Sequence, residues 1–164
     1  MIKKILVPIA FTQYSRGILN YAAELAAATG AEMLVVNVIN ERDLQAVHKI
    51  TAYGYKVDVE KYIGTIKKER REGFNEMIGA LALPDDKVNF SFCVGVPAEE
   101  LLKVVVGEKV DMVVMGVKAH NLSELFAGSV AEQLFRRCPA TVVFYRDEEN
   151  VRRLRKKIEK HLKD

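Results

Sequence analysis

Residues 110–145 read "VDMVVMGVKAHNLSELFAGSVAEQLFRRCPATVVFY". This stretch begins with an apolar run of strand length that ends at Gly116, and it closes with a second apolar run, residues 140–145. Between the two runs, residues 128–137 form a helix-like segment. A strand, a helix and a strand in this order favour parallel pairing of the two strands.

The same alternation extends over the rest of the chain. Three further runs have the length and composition of strands: residues 3–9, 32–39 and 88–94. Segments with helical periodicity follow them, the first ending at Gly30 and the second covering about residues 58–81. The pattern predicts an α/β fold, with one doubly wound five-stranded parallel sheet and flanking helices.

Composition and length set the class of protein. The chain has 164 residues, of which 49% are hydrophobic and 29% charged, as in one globular domain. No apolar run approaches the roughly 20 residues of a membrane span, and no signal-peptide pattern opens the chain. Cys93 and Cys138 lie far apart without metal-ligand spacing. We therefore expect a cytoplasmic protein with reduced thiols and no metal site.

The chain ends in a basic segment, and we predict two parts: a domain of residues 1–146 and a basic amphipathic helix of residues 147–164. Residues 152–163 contain seven Lys or Arg and one Glu. Four aliphatic side chains share one helical face: Val151, Leu154, Ile158 and Leu162. Packing on the same domain or on a second subunit is the favoured role. An arm for nucleic acid or anionic membranes is the alternative, which we do not expect because no aromatic residue interleaves the charges.

Ligands of doubly wound sheets bind beyond the carboxyl ends of the strands, where the strand order reverses. Three loops lie there: "PIAFT" at 8–12, "INERD" at 39–43 and "GVKAHNLSELFAGS" at 116–129. Residues 128–130 open a helix, whose free N–H groups favour an anion; the alternative is that Ser129 merely caps the helix. His120 has no nucleophile and carboxylate at a suitable spacing, so no catalytic residue is predicted.

Four segments carry a family resemblance: "KKILVPIAFT" (3–12), "VVNVIN" (35–40), "VGVPAEELL" (94–102) and residues 110–146. Together they resemble the universal stress protein family over residues 1–146. The resemblance implies a five-stranded sheet of the adenine nucleotide α-hydrolase-like type. It also implies a homodimer joined through the last strand, here Ala140 to Arg146, and unknown protein partners. In one branch of the family it implies ATP bound without a conventional active site.

ATP-binding members resemble one another in a G-x2-G-x9-G-[ST] loop and in an Asp just after the first strand. Here Gly116 and Ser129 match, but Ala119 replaces the second glycine, one residue is missing before Gly128, and Ala10 holds the acidic position. On this resemblance the candidate cofactor-binding residues are Pro8, Ile9, Ala10, Val38, Met115, Gly116, Ala119, Gly128, Ser129 and Val130.

These departures predict impaired ATP binding. Losing the carboxylate removes a charged hydrogen bond of roughly 1.5 to 3 kcal/mol. Alanine in a left-handed backbone adds roughly 1 to 2 kcal/mol, so affinity falls by roughly one to three powers of ten. We expect ATP to bind weakly or not at all, and Mg²⁺ only with ATP.

Three functions remain open at this point. The first is a stress-response binding or regulatory module without catalytic turnover. The second is an ATP-binding switch with slow hydrolysis or adenylate sensing, at most a weak ATPase. The third is an adenylating enzyme of the related α-hydrolase type, for which the sequence lacks a second domain and a catalytic motif.

Overall fold

The computed structural model describes residues 1–53, 58–79, 81, 83–117 and 130–162. Strands and helices alternate along most of this length. In chain order they are β1 Lys4–Pro8, α1 Ser15–Thr29, β2 Glu32–Asn40, α2 Glu41–Ala52, α3 Val59–Ile78, a 3₁₀ turn Asp85–Lys87, β3 Val88–Gly95, α4 Pro97–Gly107, β4 Met112–Gly116, α5 Val130–Arg137, β5 Thr141–Tyr145 and α6 Glu148–His161.

The five strands form one parallel sheet in the order β3-β2-β1-β4-β5. The central strand β1 pairs with β2, where Leu6 lies opposite Leu34, and with β4, where Leu6 lies opposite Val113. From β1 the chain builds outward to β3 and then returns to the other side of β1. The predicted doubly wound sheet is confirmed, and its strand order reverses between β1 and β4.

Each face of the sheet carries its own hydrophobic layer because side chains alternate along a strand. Ile5 and Val7 of β1 point to the face covered by α1 and by Phe74 of α3. Leu6 points to the other face, where Leu101 of α4 and Leu134 of α5 pack. Burial on both faces explains why β1, β2 and β4 are almost uninterrupted runs of aliphatic residues.

Local signals place most of the helix ends. The first helix stops at Gly30, which has a left-handed backbone with φ of 73° and donates its N–H to the carbonyl of Ala26. Asp58 caps α3 by accepting a hydrogen bond from the Lys61 backbone N–H at 3.1 Å. Pro97 occupies the first turn of α4. Helix α2 was not predicted, and it begins directly where β2 ends.

The C-terminal helix α6 forms as expected, capped by Asp147. Most of its aliphatic stripe is not covered by the described part of the chain. Val151, Ile158 and Leu162 are exposed, and Leu154 is half-buried. Within the described ranges, none of the helices is both long and apolar enough to cross a membrane.

Candidate functional site

A cavity of about 800 Å³ opens at the carboxyl ends of β1, β2 and β4. This is the position that the reversal of strand order predicts for a ligand. Seven of the candidate residues line it: Pro8, Ile9, Ala10, Val38, Met115, Gly116 and Val130. The other three, Ala119, Gly128 and Ser129, lie outside the described residues, as do Lys118 and His120.

The loop after β1 forms one wall and is firmly tied to its surroundings. The Ile9 N–H donates to the carbonyl of Val36 at 2.9 Å, which continues the β1–β2 ladder by one residue. Phe11 has a left-handed backbone with φ of 52°, unusual for a residue with a side chain, and its ring packs edge-on against Phe90. These contacts hold Ala10 between Ile9 and Phe11, exposed at the cavity.

The opposite wall comes from the end of β4. Gly116 packs so closely on α1 that a Cβ atom there would lie 2.5 Å from the Cδ1 atom of Ile18. A larger residue at 116 would therefore displace the Ile18 side chain, which also lines the cavity. The requirement for glycine at this position thus comes from packing against α1 as well as from any ligand.

An asparagine and an arginine that the sequence pattern did not predict also line the cavity. The Asn37 side chain, only 2% exposed, donates from Nδ2 to the carbonyl of Ile9 at 2.7 Å. Its Oδ1 accepts from Nη1 of Arg70, a half-buried residue of α3, at 2.5 Å. The sequence "VVNVIN" already indicated such a network, because Asn37 stands inside a buried strand and a buried polar side chain requires a polar partner.

This network fixes the orientation of the Asn37 amide by chemistry. A carbonyl oxygen can only accept a hydrogen bond and a guanidinium can only donate one. The amide NH₂ must therefore face Ile9, and the amide oxygen must face Arg70. One buried side chain thus joins the β1 loop, strand β2 and helix α3 at the wall of the cavity.

Two carboxylates complete the charged lining that the structure describes: Asp43, in the first turn of α2, and Asp147, before α6. Partial burial raises the pKa of Asp147. Hydrogen bonds from the Asn150 backbone and side chain outweigh this effect, so the pKa lies below its ordinary value of 3.8. Asp147 is therefore an anion at neutral pH, and among the described lining residues Arg70 supplies the positive charge.

The described lining can contact a ligand through apolar surface, hydrogen bonds and charge. No group of three or more His, Cys, Asp or Glu that could hold a metal occurs in the described ranges. Cys93 lies on β3, away from the cavity lining, and burial, followed by the charge of Glu100, raises the pKa of its thiol. A raised pKa disfavours the thiolate that nucleophilic or redox chemistry would need.

The lining fits a nucleotide in part. Ile9, Val38 and Leu101 supply apolar surface for a base, and the cavity reaches Val130, the first residue of α5. The position of the family's nucleoside-binding acid holds Ala10, which offers no acceptor. Of the predicted phosphate-end residues the structure describes Gly116 and Val130, and both line the cavity, whereas the nucleoside end of the sequence pattern is altered at Ala10.

Comparison with known proteins agrees with this architecture. The model of the universal stress protein family matches residues 1–146. Universal stress protein MJ0577 of Methanocaldococcus jannaschii is 29% identical over 146 residues, covering 84% of this chain and 90% of that protein. The solved structure of MJ0577 aligns with a TM-score of 0.69 at 24% identity, covering 90% of this chain and 98% of that one.

A second solved structure is of interest for its ligand. It is a universal stress protein in complex with cAMP, and it aligns with a TM-score of 0.64 at 19% identity, covering 88% of this chain and 96% of that chain. At this level of identity the likeness establishes the shared fold.

Proposed function

The chain belongs to the universal stress protein family, and from this premise we propose that it is a small cytoplasmic stress-response binding module with a nucleotide pocket impaired for ATP. The observation that carries the proposal is the cavity of about 800 Å³ at the strand-order reversal, lined by Val38, Gly116 and Val130 but with Ala10 in the acidic position. A relative with the same fold was solved with cAMP, which supports a nucleotide as the class of ligand.

A bound nucleotide would place its phosphates at residues 128–130 and Gly116, and its nucleoside between Ile9 and Val38. The α5 helix start favours an anion through its free N–H groups and dipole. Without a carboxylate at position 10, adenosine loses one charged hydrogen bond. ATP is therefore held weakly and chiefly through its phosphates, and Mg²⁺ enters only with them.

The proposal is tested by denaturing the purified protein and identifying released nucleotides by mass spectrometry, followed by calorimetry with ATP, GTP and cAMP. We expect little or no co-purified ATP and weak binding of added nucleotide. Sub-micromolar ATP binding with strong preference over GTP would contradict the impairment. The absence of binding for every nucleotide would contradict the nucleotide pocket itself.

One observation favours a second function, an ATP-binding switch with slow hydrolysis or adenylate sensing. Asp147 both lines the cavity and caps α6, so a ligand that contacts Asp147 would also act on the C-terminal helix. Hydrogen exchange of residues 148–161 with and without ATP tests this function. A change in protection on binding supports a switch, and unchanged protection supports the passive module.

The assembly that we propose is a homodimer joined through residues 140–146. β5 is the outermost strand on its side of the described sheet, and the outer edge of such a strand presents unpaired N–H and C=O groups. The exposed aliphatic stripe of α6 follows β5 directly in the chain. A second copy would cover both features.

A further inference from the structure

We propose that Arg70, held in place by Asn37, makes this pocket select a 6-oxopurine nucleotide, such as a guanine nucleotide, over an adenine nucleotide. The inference rests on the nucleotide pocket proposed above and names the chemistry of its ligand. It arises from a feature of the cavity that the family pattern does not account for: a guanidinium that Asn37 links to the loop carrying Ala10, where the pattern has an acceptor.

The distance across the sheet fits a nucleotide that reaches both ends of the cavity. Asn37 lies on β2, and Gly116 lies on β4, with β1 between them. Neighbouring strands are about 4.8 Å apart, so β2 and β4 are separated by roughly 10 Å. Arg70 and Val130 line the same cavity, so a nucleotide with its phosphates at Val130 has Arg70 within the space open to its base.

Arg70 is prepared to donate hydrogen bonds into the cavity. A guanidinium has five N–H donors and no acceptor, and Asn37 takes one of them. Among the residues that the structure describes, no Asp or Glu oxygen lies within salt-bridge distance of Arg70. Since Arg70 lines the cavity, its remaining donors are available to an acceptor on a ligand.

The 6-oxopurines and adenine differ in their hydrogen-bonding groups at C6 and N1. Guanine and hypoxanthine carry an acceptor oxygen at C6 and an N–H donor at N1, whereas adenine carries an NH₂ donor at C6. Arginine commonly recognises guanine through O6 and N7, and the adenine amino group would instead face a donor. Asp43, which lines the cavity from the first turn of α2, supplies an acceptor for the N1–H edge.

The absence of an acid at position 10 also favours a 6-oxopurine over adenine. A carboxylate there would sit in the same pocket as Arg70 and compete with the ligand for its charge. With Ala10 in that place, Arg70 keeps its donors for the ligand. The Asn37 amide cannot release Arg70 by turning over, because the Ile9 carbonyl requires the NH₂ group on its side.

The test is calorimetric titration of full-length protein with GTP, ITP and ATP. ITP and ATP differ only in the group at C6 and in the proton at N1. The ratio of their dissociation constants therefore measures recognition of the C6 group, which we assign to Arg70. We expect GTP and ITP to bind roughly three- to tenfold more tightly than ATP. Arg70→Met should bring the three affinities to within about twofold of one another, and Arg70→Lys, which keeps a donor, should retain part of the preference.

Arg71→Met is the matched control. The Arg71 guanidinium lies over the rings of Phe90 and Phe92, 5.3 and 5.6 Å from their centroids, on the same helix but outside the cavity lining. It should leave the preference unchanged, and melting curves confirm folding of each variant. ATP binding as tight as ITP, or a preference that survives in folded Arg70→Met, overturns this inference but leaves the nucleotide pocket standing. Failure of all three nucleotides to bind overturns both.

Discussion

The Asp147 carboxylate accepts a hydrogen bond from the Asn150 backbone N–H at 3.0 Å, and the same Asp147 lines the cavity. The first turn of α6 is therefore anchored at the candidate ligand site. A second hydrogen bond, from the Asn150 Nδ2 atom at 2.5 Å, holds the carboxylate in this position. Asp147 thus belongs to both the C-terminal helix and the pocket. A ligand that moves this side chain would alter the cap of α6, and loss of the cap would alter the lining of the pocket.

Asp147→Ala should destabilise the protein by removing this helix cap. Loss of such a cap costs about 1 kcal/mol, which lowers the melting temperature of a chain of this size by roughly 2–4 °C. Asp147→Asn is the matched control, because asparagine caps about as well as aspartate, and it should melt near the wild type. Equal melting temperatures for Asp147→Ala and the wild type would show that the cap does not contribute to the free energy of unfolding.

Asp111 should contribute to a dependence of stability on acid pH. Its Oδ2 atom accepts hydrogen bonds from the backbone N–H groups of Lys3 at 2.7 Å and Lys4 at 3.0 Å, and these bonds hold its pKa below the ordinary value of 3.8. The stabilisation is fully present above that ordinary pKa and is lost as pH falls through the lowered value.

Urea denaturation of the wild type and Asp111→Asn between pH 2 and 7 measures this contribution. The variant should be less stable at pH 7 and should lose less stability on acidification. Glu76→Gln, on an exposed position of α3, serves as the control. Parallel pH profiles for wild type and Asp111→Asn would rule out the assigned role.

Dimerisation through β5 is the third expectation. Light scattering should show a dimer for the wild type and a monomer for Val142→Pro. The Thr141 N–H donates to the Asp111 carbonyl on the β4 side, so the N–H of the next residue, Val142, faces the open edge, and proline removes that donor. Val94→Pro, on the opposite edge strand β3, is the control for a proline at a sheet edge. A monomeric wild type, or a dimer that persists in a folded Val142→Pro variant, places the interface elsewhere.

The aliphatic stripe of α6 should stabilise the dimer. Ile158 is 59% and Leu162 81% exposed in the single chain, and covering a large aliphatic side chain completely is worth about 1.5 to 3 kcal/mol. Deleting residues 150–164, or the single change Ile158→Asp, should weaken the dimer by sedimentation analysis, whereas Lys157→Asp should not. If the deletion leaves assembly and stability intact and instead abolishes salt-resistant nucleic-acid or vesicle binding, the helix is a binding arm.

The pattern of apolar residues was sufficient to predict the sheet. Strands β1, β2 and β4 are buried on both faces and therefore consist almost wholly of aliphatic residues. The predicted strands agree with the structure to within two residues at each end. Helix α2 was missed because its segment combines few apolar positions, Leu44 and Val47 among them, with many polar ones. A short amphipathic helix of this kind depends on tertiary packing more than on propensity.

The candidate site was predicted less completely than the fold. The order of the strands placed the cavity, and seven residues named from the sequence line it. Arg70 was not found, because it lies 33 positions from Asn37 and only the packing of α3 on β2 brings them together. The loop of residues 118–129, with Ala119, Gly128 and Ser129, lies outside the described residues, so the predictions for that loop remain predictions.

Calorimetric titration of ATP into wild type and Ala10→Asp decides whether this cavity is a nucleotide site weakened by the missing carboxylate. We expect a wild-type dissociation constant above about 1 µM and a roughly tenfold gain in affinity for Ala10→Asp, as one charged hydrogen bond requires, with a smaller gain for Ala10→Asn. Sub-micromolar ATP binding by the wild type with strong preference over GTP, or no gain in folded Ala10→Asp, would contradict a weakened nucleotide site.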